Sequence, residues 1–163
     1  MKWGEWLDQW SLTGLKINVG FLDAEFKPND VDADAAWELY VELLTRITTQ
    51  PLPDQAGTEA AALDSVHSLF KTTRDILKAP GRRHAGNFAK LAIVVLNQKV
   101  RPFTAKWHLR REAGAFQPES SDYAAERAEF RHELRALQQV LKHYGAALAH
   151  VAGVEDLTRL EDA

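Results

Sequence analysis

The sequence has no cysteine and a single methionine among its 163 residues. The missing cysteine excludes a disulfide scaffold, thiolate zinc ligation and cysteine nucleophiles, and it fits a reducing compartment. Long apolar runs are missing too. The longest, Leu91 to Leu96, is far too short to cross a bilayer, so no membrane partner is expected. The first ten residues are amphipathic and carry Glu5 and Asp8, with no apolar run behind a basic cluster, so they do not read as a secretory leader. A cytoplasmic location is the expectation. There is also no glycine-rich phosphate loop, no Gly-x-Ser-x-Gly elbow and no His-Glu-x-x-His pair. The enzyme classes with the plainest sequence signatures therefore leave no trace.

Charge is present in ordinary amount but unevenly placed. The net charge of −3 is made of −6 over residues 1–80, +7 over residues 81–118 and −4 over residues 119–163. A basic middle between acidic flanks has two readings. Either the middle is neutralised by its neighbours inside one fold, which is the favoured reading, or it meets an anionic partner.

Periodicity points to a mainly α fold. Trp3, Trp6, Leu7 and Trp10 fall at helical spacing and predict a short amphipathic N-terminal helix. Leu15-Lys16-Ile17-Asn18-Val19-Gly20-Phe21 alternates apolar with polar or small residues, which predicts a β-strand or hairpin. A lone strand needs a partner for its backbone groups, and pairing across a homodimer is one way to supply it. Long helices are expected near residues 30–49, 58–78, 86–110 and 121–152. Asp30 or Asp32, Thr58 and Ser121 are the expected caps of three of them. Pro51 and Pro53, then Pro80-Gly81, then Gly153 are the expected stops, and Pro102 must kink the third helix or open a new one. The expectation is a four-helix bundle in one domain spanning 1–163, with an N-terminal arm over 1–27.

Candidate functional residues fall into three groups. The first is the arm, where Trp3, Trp6, Trp10, Ile17, Val19 and Phe21 either dock on the body or form a sticky surface for the same or another protein. The second is Arg101 with His108, read against a structural kink in which Arg101 pairs with Glu38, Glu42 or Glu133 and Trp107 fills core. The third is the basic strip of Arg82, Arg83, Lys106, Trp107, Arg110 and Arg111, suited to phosphates and a stacked base. Metal chemistry finds little support. Glu129-x-x-His132 has half of a di-iron spacing without its second copy. His67 with Asp64 is an isolated pair, and His143 and His150 lack clear partners. No metal and no other cofactor is expected.

The spacing of Arg101 and His108 resembles the Arg-x4–6-His pattern of HEPN-type helical ribonucleases, which are helical bundles and often dimers. That resemblance implies a histidine assisting proton transfer and an arginine holding phosphate. Pro102 departs from the polar residue the family favours after the arginine, and Arg127 with His132 fits the spacing as well. Separately, the runs Asp34 to Gln50 and Leu96 to His108, under a quarter of the chain, resemble segments of uncharacterised small helical bacterial proteins from conflict or antiviral-defence gene neighbourhoods. That likeness implies a bacterial accessory protein. The leading expectation is a non-enzymatic, self-associating interaction module that uses the arm. The rivals are a metal-independent ribonuclease on Arg101 and His108, and nucleic-acid binding through residues 82–111.

Overall fold

The apolar stripes of this chain resolve into helices, and the computed structural model describes residues 1–17, 19–81 and 86–158. The helices are α1 (Trp3–Gln9), α2 (Val19–Leu22), α3 (Asp30–Leu44), α4 (Glu59–His67), α5 (Leu69–Lys78), α6 (Asn87–Val95), α7 (Arg101–Glu112) and α8 (Tyr123–Ala152). A π-helical turn, Leu96–Val100, joins α6 to α7. The mainly helical class expected from periodicity holds. No helix among the described residues is long and apolar enough to cross a membrane.

The β arm is the clearest correction. Among the described residues there is no strand, only an isolated bridge between Lys2 and Glu25. Trp3 N–H donates to the Ala24 carbonyl at 3.0 Å and Phe26 N–H donates to Met1 at 2.8 Å, which closes residues 1–26 into a loop. The alternation around Ile17 needs no neighbouring strand, because one side chain supplies both partners. Lys16 N–H donates to Oε1 of Gln98 at 2.7 Å, and Nε2 of Gln98 donates back to the Lys16 carbonyl at 2.5 Å. Leu15 is buried on irregular chain, and the end of the predicted strand, from Val19 to Phe21, lies in α2. The need for a second copy rested on the strand and falls with it.

The expected long helices are shorter or interrupted, each for a local reason. α3 stops at Leu44 rather than near residue 49. Thr48 and Thr49 turn their hydroxyls back onto the Leu43 carbonyl, each at 2.8 Å, and Gln50 donates to the Leu44 carbonyl. These bonds satisfy carbonyls that would otherwise need a further helical turn. The segment 58–78 divides at Ser68, whose hydroxyl donates to the Ser65 carbonyl at 2.6 Å. Pro102 has no N–H to continue the ladder, and the register slips just ahead of it: Arg101 N–H donates to the Leu96 carbonyl, five residues back.

The caps are partly as expected. Thr58 accepts from Ala61 N–H at 3.2 Å. The cap of α3 is Asn29 rather than Asp30 or Asp32, with Asp32 closing the box as its third residue. Asp122, not Ser121, precedes α8 and makes no side-chain cap bond. Gly153 takes the left-handed conformation, φ 68°, that ends α8.

Packing is organised around α8, which runs along α3, while α3 also meets α5 and α6, and α7 lies against α4 and α8. Trp107, Phe130, Leu134 and Leu141 form part of this core with Leu43 and Leu63. The buried Asp32 ties α3 to the start of α6, accepting from Phe88 N–H at 3.1 Å. A Cβ at position 86 would collide with that carboxylate, so glycine is needed there.

Candidate functional site

On α7 the residues sort by face. Phe103 and Trp107, with Val100 just ahead of the helix, turn inward and are buried. Arg101, Thr104, Ala105 and His108 recur at helical spacing and line one side of a cleft of about 780 Å³. The two residues singled out by their spacing are seven apart, so two turns of helix bring them to the same wall. The opposite wall comes from α4 and α5, with Asp64, His67, Lys71, Thr72 and Arg74, and Arg46 reaches in from beyond the end of α3.

His67 and His108 meet across this cleft. Their ring centroids are 4.8 Å apart, edge to face. Burial is the main cause that holds the His108 imidazole below its ordinary pKa, and His67 and Arg111 push the same way against Asp64 and Glu112. His108 is therefore mostly neutral at pH 7 and able to accept a proton. The Arg101 guanidinium lies 4.8 Å from the centre of the Phe70 ring, and its Nε donates to Oδ1 of Asn97 at 3.1 Å. Nε of Arg46 donates to Glu42 at 2.7 Å, and the same guanidinium donates to Ser68 and Thr72. Lys71 pairs with Asp75 one turn along α5, at 2.5 Å.

The carboxylates considered for Arg101 are engaged elsewhere or distant. Glu42 holds Arg46, and Glu133 holds Lys106 and the Trp107 indole N–H, the latter at 2.9 Å. Glu38 is exposed on α3 and makes no bond to Arg101. Among the described residues Arg74 and Arg101 make no salt bridge, and both side chains are exposed.

The described cations of the basic strip are bridged within the fold. Lys106 bridges Glu129, at 2.8 Å, and Glu133. Arg110 bridges Glu126 at 3.0 Å and Glu129 at 2.7 Å, and Arg111 pairs with Asp64 at 2.7 Å. Hydrogen bonds from Lys106 and then Arg110 hold the Glu129 carboxyl below its usual range. Trp107 is fully buried, stacked near Phe116 and edge-on to Phe130, so it presents no face to a base. Arg82 and Arg83 lie outside the described residues.

The arm residues are mostly interior. Trp3 and Trp6 are 0% exposed and pack with Phe26, at 4.6 and 4.3 Å between ring centroids. Phe21 is half-buried between Trp3 and the Lys90 ammonium, each 4.5 Å from its ring. Trp10 and Ile17 are half-buried against the core, and the side chain of Val19 lies outside the described residues. These rings hold residues 1–26 against the body and leave no contiguous tryptophan surface. Of the second Arg-x4–6-His pair, Arg127 is bonded to the buried Glu59 at 2.8 Å, while His132 lines a different cleft beside α8.

Among the described residues no three histidine, aspartate or glutamate side chains converge as a metal site would require. Sequence reasoning missed His67, Arg46 and Arg74 as parts of the cleft. His67 read as an isolated neighbour of Asp64, and only the packing of α4 on α7 shows what it faces. Comparisons with protein-family models, curated proteins and solved structures find no match to this chain.

Proposed function

We propose that the chain binds a phosphodiester strand, RNA in the first instance, in the cleft between α4, α5 and α7. One observation carries this reading. Arg74 and Arg101, neither bridged to a described carboxylate, line the same cleft as the His67–His108 pair, whereas the described cations elsewhere on α7 are bridged. Guanidinium groups bridged to no described carboxylate favour an anion with several oxygens, because each guanidinium donates in a planar fork. The test is fluorescence anisotropy with a labelled RNA of about 12 nucleotides. Replacing Arg74 and Arg101 together by alanine lowers affinity by at least about tenfold, since charge-assisted hydrogen bonds are worth roughly 1.5–3 kcal/mol each. Unchanged affinity refutes the proposal.

The histidine pair supports a second, narrower reading, in which the bound RNA is cleaved. The neutral imidazole of His108 takes the proton of a ribose 2′-hydroxyl as its oxygen attacks phosphorus. The bond from phosphorus to the 5′-oxygen breaks, and that oxygen takes up the abstracted proton through the His67–His108 pair. Arg101 holds the non-bridging oxygens throughout. The products are a 2′,3′-cyclic phosphate and a 5′-hydroxyl end. Cleavage in the presence of EDTA, lost in His108→Ala and in His67→Ala, is the expected result. No cleavage, or equal cleavage by His108→Ala, removes this second reading and leaves binding to stand or fall on the anisotropy.

A further inference from the structure

The helix α3 turns toward solvent a stripe that the core does not use. Asp34, Trp37, Glu38 and Val41 follow one another at helical spacing and all are exposed. Trp37 is 48% exposed and Val41 38%, whereas Trp3, Trp6 and Trp107 are fully buried and Trp10 is half-buried. A large indole has only two side-chain torsions to fix, which suits it to anchor a partner at low entropic cost. Beside it runs a groove of about 430 Å³ between α3 and α5, with Ile76 and Thr72 on the α5 side.

The electrostatics of the groove select the partner. α3 carries five acidic side chains and no basic one in its 15 residues. Glu38 lines the groove without a described cation beside it, Glu42 and Asp75 line it paired with Arg46 and Lys71, so that a basic partner meets Glu38 directly and displaces those two cations, and residues 1–80 as a whole carry −6. Apolar anchors spaced along a helix and flanked by carboxylates complement an amphipathic helix with a basic flank.

From this we infer that the α3–α5 groove docks a cationic amphipathic helix of another protein, with Trp37 and Val41 against its apolar face and Glu38 and Asp75 against its cations. This surface adjoins the cleft, sharing Thr72 with it, but its occupation does not require RNA to be bound there.

The experiment uses the full chain and two synthetic peptides of about 18 residues. Both place leucine at helical spacing; one fills the remaining positions with lysine and arginine, the other with glutamate. Calorimetry is expected to show binding of the basic peptide and none of the acidic one. Trp37→Ala and Glu38→Lys are each expected to weaken it by about tenfold or more. Because both side chains are exposed, thermal melting followed by circular dichroism should be unaltered, so lost binding is not lost fold. Equal affinity in wild type and both variants overturns the inference, as does equal binding of the acidic peptide. A wild-type dimer in light scattering that Trp37→Ala dissolves also overturns it, because the face would then cover a second copy.

Discussion

Salt is the sharpest probe of the cleft, because it counts the cations that reach phosphate. For a single-stranded nucleic acid the logarithm of affinity falls with the logarithm of salt with a slope of about −0.7 per phosphate contacted. Four cations line the cleft: Arg46, Lys71, Arg74 and Arg101. If only the two unbridged ones engage phosphate, the slope is about −1.4, and if Arg46 and Lys71 leave Glu42 and Asp75 to join them it is about −2.8. Should Lys106, Arg110 and Arg111 contribute as well, it steepens to about −4.9. Between 50 and 200 mM salt these slopes mean losses of about 7-fold, about 50-fold and about 900-fold.

The assay is the same anisotropy titration at four or more salt concentrations, repeated with Arg82 and Arg83 both replaced by alanine so that the cleft is counted alone. Arg101→Ala should make the slope shallower by about 0.7, while Lys106→Ala and Arg110→Ala leave it where it was. The reasoning rests on Lys106 and Arg110 being held by Glu126, Glu129 and Glu133 on α8. A slope near −5, or an equal change for Lys106→Ala and Arg101→Ala, refutes it.

Three further outcomes follow from contacts inside the fold. Glu59 is 4% exposed and accepts from Arg131, which is 5% exposed, at 2.6 Å, so Glu59→Ala leaves a buried guanidinium with two carbonyls and only the exposed Asp54 carboxylate, 3.7 Å away, and should cost about 3 kcal/mol in urea unfolding. Burial raises the Glu59 pKa, but the bonds from Arg131 and Arg127, with its own backbone N–H, outweigh it and leave the group below its ordinary value. The pair's contribution is thus complete above the unfolded carboxyl pKa and is lost as pH falls through the lower folded one, so the gap between wild type and Glu59→Gln should close on acidification. Gln98→Leu removes both partners of the Lys16 peptide group; with that group exposed, the expected cost is about 1 kcal/mol, and faster hydrogen exchange at Lys16 is the direct readout. Finally, a basic peptide in the α3–α5 groove competes for Glu42 and Asp75 and frees Arg46 and Lys71 for the cleft, so it should tighten RNA binding, by no more than about thirtyfold because each of the two exposed pairs is worth about 1 kcal/mol at most.

What the sequence alone makes legible is set by how far each interaction reaches along the chain. The stripe of α8, the stop at Gly153, the cap at Thr58 and the disruption at Pro102 depend on residues within a few positions, and each is visible before folding. The strand over residues 15–21 is misread because alternation says only which side chains go inward. It does not say what satisfies the backbone, and here the answer is a glutamine 82 residues away. The division at Ser68 is equally local yet hidden, because an unbroken apolar stripe spans it and a serine bonding back to its own helix leaves no mark on periodicity.

The cleft shows the same limit in sharper form. Arg101 and His108 share a wall because they share a helix, and their spacing alone predicts that. His67, Arg46 and Arg74 join them from two other helices and the turn after a third, and no spacing along the chain encodes that meeting. Charge is legible in part. The favoured reading, a basic middle neutralised by its acidic neighbours, describes Lys106 and Arg110, because α8 sets Glu126, Glu129 and Glu133 one turn apart along the flank of α7. Arg101 escapes because Asn97, one turn before it, offers an amide oxygen and no charge. The proposed binding therefore rests on a basic residue that the acidic flanks leave unbridged, a property that belongs to the packing of α7 on α8 and not to the composition of either.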